Sequence, residues 1–389
     1  MASILFISLM NTSSWRSSEE LWYKTALHAS STGHQVACCF YPWPQNTNKS
    51  IELEKAGCQV FLLPNKGRMK RNLFEKIQYK ISSKRVRKYM DNLPLNNYDH
   101  ILINIDTVTV LSETLAGWNS RLTNYKLMFQ NYQPDEILKH NDITPIKSWI
   151  NNAALNLFIT DSICNNLEDK LNVHIDGKII LNPINFDVPD NPTPFIKQPQ
   201  YVFSMFAAMD IEIKAQDKLI KAFACPKWLQ RNFILNLYGE GKDRDRIENL
   251  IARKGLTNKI FIKDYPENTR EAIEASHLII RITHNDGMPV SILEAMAISR
   301  PLIVSNVGEM PKWVKNNING WVTRNASEFE IETALEMAWN ERTRWEHMGR
   351  KSFEIFRKIY PSSVEEHLLN TAGIQKENNK AVIKKMAKV

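Results

Sequence analysis

Short apolar runs alternate with amphipathic stretches through most of the chain, and this alternation limits the possible folds more than any other sequence feature. The apolar runs are rich in β-branched and aliphatic residues and lack an alternating polar pattern, which is typical of parallel strands buried on both faces. In the first half the runs are Ile4–Met10, Gln35–Tyr41, Gln59–Leu63, His100–Ile105, Lys126–Phe129 and Leu155–Thr160. Because Glu19–Ser31 has helical spacing between the first two runs, we predict repeated βαβ units and a doubly wound α/β sheet.

A proline-rich segment interrupts this alternation near the middle of the chain. Residues 189–200 contain four prolines, which favour an extended connector over a helix. After it, the predicted strands are Tyr201–Phe206, Ile234–Tyr238, Ile260–Ile262, Leu278–Ile282, Leu302–Val304 and Gly320–Val322. We therefore predict two α/β domains, 1–188 and 201–355, joined by a hinge at 189–200 and followed by a helix and basic tail at 356–389.

Composition and charge restrict the class of protein further. Hydrophobic residues make up 43% of the chain, and no apolar run reaches the ~18 residues that a membrane-spanning helix needs. No basic residue precedes the apolar run Ile4–Met10, so we expect a buried strand there rather than a secretory signal. The 5 cysteines are an odd number without metal-ligand spacing, which is typical of reduced thiols in the cytoplasm. The formal net charge of +8 favours an anionic partner.

One segment of the second half has the pattern of an anion-binding site. A predicted strand at 278–282 leads into a turn around Asp286 and Gly287, and Pro289 occupies the expected first position of a helix. The backbone N–H groups and dipole of that helix start can receive a diphosphate, which Gly287 allows to approach closely. The carboxylates of Asp286 and Glu294 can accept hydrogen bonds from sugar hydroxyls. Two other roles fit the same spacing: Asp286 as a helix cap, and Glu294 as an exposed helical glutamate.

The stretch from Asp286 to Glu294, Asp-Gly-Met-Pro-Val-Ser-Ile-Leu-Glu, resembles the Glu-x7-Glu signature of the retaining family-four glycosyltransferases. The similarity continues downstream through Arg300-Pro-Leu-Ile-Val-Ser-Asn-Val-Gly308 and Asn319-Gly-Trp-Val322. Upstream, similar segments are Ser18-Glu19 with Gly33–Val36, Leu181–Asn185, Asp210–Asp217 with Lys214, and Tyr238–Gly241. The resemblance covers about residues 1–350, and its second half is the more specific.

This resemblance implies the GT-B fold, in which two Rossmann-like domains face each other across a cleft and C-terminal helices return to the first domain. The first domain would bind the acceptor and the second the donor. The implied enzyme transfers a sugar with retention from a nucleoside diphosphate to a glycan or lipid-linked acceptor, in cell-surface polysaccharide or glycolipid synthesis. Neither a metal nor another cofactor is expected.

The resemblance also implies roles for individual residues. The implied catalytic residues are Asp286, Glu294 and Lys214. The implied donor-binding residues are Gly287, Met288, Pro289, Val290, Gly239, Glu240 and Gly241, and the acceptor-side candidates are Arg16, Ser17, Ser18, Gln130 and Asn131.

Four parts of the family pattern are changed in this sequence. Asp286 replaces a glutamate, Ala208 replaces an arginine of the donor site, and Gln130-Asn131 replaces a histidine–aspartate pair. Residues 16–18 replace a pair of glycines. These departures fit a second hypothesis, a catalytically silenced GT-B protein that binds a sugar nucleotide or a partner. A third, an epimerase or phosphorylase on the same fold, lacks the signature residues of those enzymes.

The cations of the donor site also admit more than one interpretation. By its position alone, Lys214 is a solvated lysine at a helix start; the resemblance makes it a ligand of the donor diphosphate. Lys242 or Arg281 could supply the cation that is missing at Ala208.

Lys66–Lys88 is strongly basic, with ten lysines and arginines against one acid. Leu73, Ile77 and Ile81 recur every four residues, which predicts a helix with an apolar stripe and a cationic face. Two interpretations fit: a surface helix packed through its stripe, or a face for an anionic membrane or a lipid-diphosphate acceptor. The second would place a cytoplasmic protein peripherally on the inner face of the membrane. No nucleic-acid-binding module is recognisable, so nucleic acid is not an expected partner.

Overall fold

The computed structural model describes residues 1–10, 15, 17–42, 47–64, 73–130 and 138–374. The chain forms two compact units: Met1–Pro183 together with the chain from Ser362 onward, and Ile184–Pro361. Each unit contains one parallel β-sheet whose successive strands are connected mostly through helices. The predicted α/β class with two Rossmann-like domains is confirmed.

The first unit has a seven-stranded sheet with neighbours in the order β3-β2-β1-β4-β5-β6-β7. Its strands are β1 (Ser3–Ser8), β2 (Gln35–Phe40), β3 (Gln59–Leu62), β4 (His100–Ile105), β5 (Tyr125–Phe129), β6 (Leu155–Phe158) and β7 (Gly177–Ile179). The connecting helices are α1 (Ser17–Ser31), α2 (Thr47–Lys55), α3 (Leu73–Met90), α4 (Val110–Glu113), α5 (His140–Asn152) and α6 (Asp161–Leu171). The six strands predicted in this half are confirmed.

Burial explains why the sequence reveals six of these strands and not the seventh. Leu5, Phe6 and Ile7 of β1 are each at most 1% exposed although successive side chains point to opposite faces, so both faces of the sheet are covered. The edge strand β7 has only three residues, and Lys178 and Ile179 are exposed. It therefore lacks the continuous apolar run that marks a buried strand.

The second unit has a six-stranded sheet with neighbours in the order β10-β9-β8-β11-β12-β13. Its strands are β8 (Tyr201–Phe206), β9 (Phe233–Tyr238), β10 (Ile260–Lys263), β11 (Leu278–Arg281), β12 (Leu302–Ser305) and β13 (Gly320–Thr323). Its helices are α7 (Ile211–Lys214), α8 (Gln216–Phe223), α9 (Pro226–Leu229), α10 (Arg244–Arg253), α11 (Thr269–Glu274), α12 (Val290–Ala297), α13 (Met310–Trp313), α14 (Glu328–Asn340) and α15 (Trp345–Ile359). All six strands predicted in this half are confirmed.

The proline-rich segment lies inside the second unit, so the domain limits differ from those expected from the sequence. The N–H of Thr193 donates to Ser299 Oγ at 3.0 Å, and Arg300 Nη2 donates to the Pro194 carbonyl oxygen at 3.2 Å. These bonds attach the segment to the end of α12. The chain passes between the units at Pro183 and again at Pro361.

The end of the described chain returns to the first unit, as expected for the C-terminal helices. After α15, helix α16 (Val364–Thr371) packs against α1. Val364, Leu368 and Leu369 of α16 are buried, which gives this helix an apolar face.

The basic helix α3 is present, but its apolar stripe is wrongly predicted at Ile81. This side chain is 48% exposed, whereas Ser83, Val86 and Met90 are buried. These three residues follow one another at helical spacing and form the packed face, on the opposite side from Ile81. The side chains of residues 73–80 lie outside the described part, as do residues 65–72. Within the described residues, no helix combines the length and apolarity that crossing a bilayer requires.

Candidate functional site

The second sheet changes its direction of winding between β8 and β11. From β8 the chain proceeds outward to β9 and β10, then returns to β11 and proceeds the other way. In open parallel sheets, ligands bind beyond the carboxyl ends of the strands at such a switch point. Several of the predicted donor-site residues lie at this place.

Asp286 lies between two cations just beyond the end of β11. Its Oδ2 atom is 2.7 Å from Lys214 Nζ and 2.5 Å from Arg281 Nη2. All three side chains are largely buried, with exposed fractions of 16% for Asp286, 15% for Lys214 and 9% for Arg281. Asp286 therefore forms a buried ion-pair cluster, and the alternative that it caps the following helix is wrong.

The charges in this cluster set the protonation of its members. Burial alone would raise the pKa of Asp286, but the charges of Arg281 and Lys214 and their hydrogen bonds hold this pKa below its usual value. Burial, and secondly the charge of Arg281, lower the pKa of Lys214, and the charge of Asp286 opposes that decrease. Asp286 is therefore a carboxylate at neutral pH, and its negative charge favours the protonated form of Lys214.

Lys214 is tied to the turn that follows β11. Its Nζ donates to the Asn285 carbonyl oxygen at 3.2 Å as well as to Asp286. The carbonyl oxygen of Ile213 accepts hydrogen bonds from Thr283 Oγ1 and from the His284 N–H, both at 2.8 Å. These hydrogen bonds connect the end of α7 to residues 283–286. Lys214 is therefore not a solvated lysine, and that alternative is wrong.

Gly308 follows β12 and packs against the same turn. A Cβ atom at Gly308 would lie 1.9 Å from the Gly287 carbonyl oxygen, and its φ of +56° disfavours other residues. The next residue, Glu309, donates its N–H to that carbonyl oxygen at 3.0 Å. This close approach explains the glycine in the Val-Gly pair and fixes the backbone at Gly287.

Three backbone N–H groups are available around the start of α12. Within the described residues, those of Gly287, Met288 and Val290 have no hydrogen-bond acceptor. The helix begins at Val290, so Pro289 precedes it rather than occupying its first position. Free N–H groups at a helix start, next to two cations, form a site suited to an anion.

The glycine loop after β9 packs against the end of β8. Cβ atoms at Gly239 and Gly241 would lie 2.0 Å and 2.4 Å from the carbonyl oxygens of Ala207 and Met209, respectively. The carbonyl oxygen of Glu240 accepts the Met209 N–H at 2.8 Å. Only glycine permits this approach, which positions the loop beside residues 207–209.

Glu294 is fully buried in α12, so the alternative of an exposed helical glutamate is wrong. Its Oε1 accepts hydrogen bonds from the Asn185 N–H at 3.2 Å and from Asn185 Nδ2 at 2.7 Å. Thr269 Oγ1 lies 3.4 Å from the same oxygen. Asn185 was part of the recognised sequence pattern, but neither it nor Thr269 was predicted as a partner of Glu294.

The acceptor-side candidates of the first unit are only partly described. Asn104 Nδ2 donates to the Ser18 carbonyl oxygen at 3.2 Å, which holds the start of α1 near the end of β4. Gln130 is 4% exposed, and within the described residues neither atom of its amide has a hydrogen-bond partner. Arg16, Asn131 and the side chain of Ser17 lie outside the described part.

No group of three or more histidine, cysteine, aspartate or glutamate side chains in the described ranges is arranged to hold a metal ion. All five cysteines are free. That the protein needs no metal or cofactor stays a prediction.

Comparison with known proteins gives a family match within the second unit. Residues 191–354 match the family described as glycosyl transferases group 1. The chain is 26% identical over 137 residues to the poly(ribitol-phosphate) alpha-N-acetylglucosaminyltransferase of Staphylococcus aureus, covering 35% of this chain and 28% of that protein. It is 24% identical over 207 residues to the poly(glycerol-phosphate) alpha-glucosyltransferase of Bacillus subtilis, covering 52% and 30%. The chain thus matches less than a third of the length of either relative.

The whole fold resembles solved structures more widely. The structure of Anabaena HepE in complex with UDP superposes with a TM-score of 0.72 at 15% identity, covering 96% of this chain and 100% of that one. At this identity the likeness concerns the fold, and the expected GT-B fold is confirmed.

Proposed function

We propose that this chain, a GT-B protein whose residues 191–354 form a group 1 glycosyl transferase domain, transfers a sugar from a nucleoside diphosphate donor with retention at the anomeric carbon. The acceptor is a glycan or a lipid-linked acceptor, in the synthesis of a cell-surface polymer. The observation that carries this proposal is the cluster at the switch point, where buried cations lie beside free backbone N–H groups. Such a cluster fits the diphosphate of an activated sugar.

The proposed chemistry follows from where charge develops. As the bond between the sugar and the diphosphate breaks, negative charge grows on the departing phosphate. Lys214 and the N–H groups of Gly287, Met288 and Val290 stabilise that charge, and because they are already fixed by the fold they need no reorganisation. The departing phosphate takes the proton of the acceptor hydroxyl as the new glycosidic bond forms, so no side-chain base is needed.

Two carboxylates have different roles in this proposal. Asp286 holds Lys214 in place through Oδ2 and contacts a hydroxyl of the donor sugar. Glu294 contacts the ribose of the nucleoside, and its orientation is fixed by Asn185 through Oε1. Both roles require that ligand hydroxyls reach these carboxylates beyond the hydrogen bonds already present.

Both the net charge of the protein and the acceptors of its named relatives favour an anionic polymer as the acceptor. The two named relatives act on poly(ribitol-phosphate) and poly(glycerol-phosphate). The formal net charge of +8 on this chain favours a polymer of the same class, in which each repeat carries a phosphate. We therefore propose a polyol-phosphate polymer as the first acceptor to test.

The test is release of nucleoside diphosphate from a panel of sugar nucleotides, with and without each polyol-phosphate polymer. For the active donor, we expect Lys214→Ala to reduce turnover at least tenfold. Lys218→Ala is the matched control, since Lys218 is 39% exposed on α8 and pairs weakly with Asp217. A reduction below twofold for Lys214→Ala would refute its role at the donor.

The same assay separates transfer from silent binding. Binding of a sugar nucleotide without release of its diphosphate, with any acceptor of the panel, would favour the silenced GT-B protein. The anomeric configuration of the product, measured by NMR, tests retention, and an inverted product would contradict the mechanism.

The exposed face of α3 supports a peripheral contact with anionic lipid. Ile81, Lys84, Arg85 and Lys88 follow one another at helical spacing and are all exposed. Each basic residue near an anionic bilayer contributes about 1 kcal/mol of attraction. In liposome flotation we expect binding to anionic vesicles that weakens from 50 to 300 mM salt, and absence of binding at both concentrations would contradict this contact.

A further inference from the structure

Arg281 is the last residue of β11, and its guanidinium reaches the carboxyl end of the neighbouring strand β8. Its Nη1 donates to the Phe206 carbonyl oxygen. Its Nε and Nη2 donate to Asp286 Oδ2 at 3.2 Å and 2.5 Å. With a backbone partner on one side and a carboxylate on the other, this buried guanidinium is held in one orientation.

The cluster around Asp286 carries more positive than negative charge. Lys214 and Arg281 converge on a single carboxylate oxygen, so one negative charge is in direct contact with two positive charges, and Asp210 acts on Lys214 only from a greater distance. Buried charges are ordinarily paired because removing an ion from water is costly. A bound anion beside Asp286 would balance the surplus charge.

Lys242 is the other cation suggested by the sequence, and its surroundings differ. Its side chain is 58% exposed and pairs with two carboxylates, Asp210 at 3.2 Å and Glu212 at 3.3 Å. Here the acids outnumber the cation, and Lys242 has no surplus charge to offer. The comparison favours Arg281 over Lys242 as an anion ligand.

Counting donors shows which N–H groups of Arg281 have no acceptor among the residues that the structure describes. A guanidinium has five N–H groups, of which the contacts to Phe206 and Asp286 use three. The two that remain are on the two terminal nitrogens. Two N–H groups of one guanidinium form the fork that binds two oxygens of a phosphate.

We propose that Arg281 is a second cationic ligand of the donor diphosphate and binds its oxygens through the two free N–H groups. Asp286 positions Arg281 beside Lys214, so that both cations face the same ligand. This inference rests on the proposed function, because it takes the diphosphate to be that of the sugar donor. It assigns to the end of β11 the positive charge that the end of β8 lacks at Ala208.

The test compares binding of nucleoside diphosphates with binding of the matching nucleosides. UDP, GDP, ADP and CDP are first screened by thermal shift, and the strongest ligand and its nucleoside are then titrated by calorimetry. We expect Arg281→Gln, which removes the charge and keeps a polar amide, to weaken binding of the diphosphate at least tenfold and of the nucleoside less than twofold. Lys242→Gln is the matched control and should change both affinities less than twofold.

Several results would overturn the inference. One is a diphosphate affinity of Arg281→Gln within twofold of wild type, and another is an equal loss for diphosphate and nucleoside, which indicates general damage to the site. A loss in Lys242→Gln as large as in Arg281→Gln would also contradict it. If Arg281→Gln does not fold, Arg281→Lys keeps the charge and removes the fork: an unchanged diphosphate affinity then refutes the role, and a threefold or greater selective loss supports it.

The proposed function and this inference fail in different ways. Wild-type protein that binds none of the four diphosphates would refute both. Wild-type protein that binds one of them and retains that affinity in Arg281→Gln would refute only the role of Arg281.

Discussion

Glu19 gives the first unit a pH-dependent stability that can be calculated from its surroundings. Its side chain, at the start of α1, is 1% exposed. Ser8 Oγ donates to Oε1 at 2.9 Å and Trp22 Nε1 donates to Oε2. Burial raises the pKa of Glu19 from 4.5 to about 7, and the two hydrogen bonds oppose the rise without cancelling it.

The sign and size of the effect follow from this pKa. The folded state binds the proton of Glu19 more tightly than the unfolded state, so the free energy of unfolding falls as pH rises from about 4.5 to about 7. Each pKa unit corresponds to about 1.4 kcal/mol, which makes the total loss about 3 kcal/mol. Above pH 7 this contribution stays constant.

The perturbation is Glu19→Gln, which has nearly the same shape and no charge. It loses one acceptor, because an amide has one oxygen where the carboxylate has two, and this cost does not change with pH. We expect the difference in unfolding free energy between wild type and variant to shift by about 3 kcal/mol in favour of the variant from pH 4.5 to pH 8. Equilibrium urea unfolding followed by circular dichroism at the two pH values measures this shift. An equal change in unfolding free energy between the two pH values for both proteins would refute the reasoning.

Other predictions concern the second unit. Asp286→Asn leaves two cations without their shared carboxylate and should lower the unfolding free energy by about 3 kcal/mol or more in urea unfolding, and a loss below 1 kcal/mol would contradict the ion-pair cluster. Gly308→Ala places a methyl group against the Gly287 carbonyl and strains φ. We expect the unfolding free energy to fall by about 1–3 kcal/mol and nucleoside diphosphates to bind more weakly in calorimetry. Unchanged binding would show that Gly308 does not support the site. Burial and secondly the charge of Arg300 lower the pKa of His277 to about 4. Because the unfolded state then binds a proton more readily, the free energy of unfolding should decrease as pH falls from 6.5 to 4. His277→Asn, whose Oδ1 can replace Nδ1 as acceptor of the Val202 N–H, should reduce that acid sensitivity in thermal unfolding, and an unchanged pH profile would exclude His277 as its source.

The strands of both sheets were predictable because their signal is local. A parallel strand covered on both faces needs an uninterrupted run of apolar residues, and Leu5–Ile7 meets this requirement within the run itself. The turn at Asp286 and the helix after it were predictable for the same reason, since glycine and proline restrict the backbone where they stand. The short edge strand β7 was missed because no such run is needed at a half-exposed edge.

Side-chain partners were predictable only in part. The apolar stripe of α3 was wrongly predicted at Ile81 because the four-residue spacing fits more than one face of a helix, and packing selects the face. The sequence could name Lys214, Asp286 and Glu294 as site residues through their resemblance to a family pattern. It could not show that the first two form an ion pair or that the third is buried.

The sequence by itself determined twelve of the strands, the glycine turns and the presence of a helix after the turn at Gly287, because each depends on residues close together in the chain. The tertiary structure alone decided the charge balance of the site. Lys214 and Asp286 are 72 positions apart, and Asn185 and Glu294 are 109 apart. Only the order of the strands brings Arg281 beside the end of β8. Strand order is set by packing over the whole domain, so contacts of this kind cannot be read from local pattern.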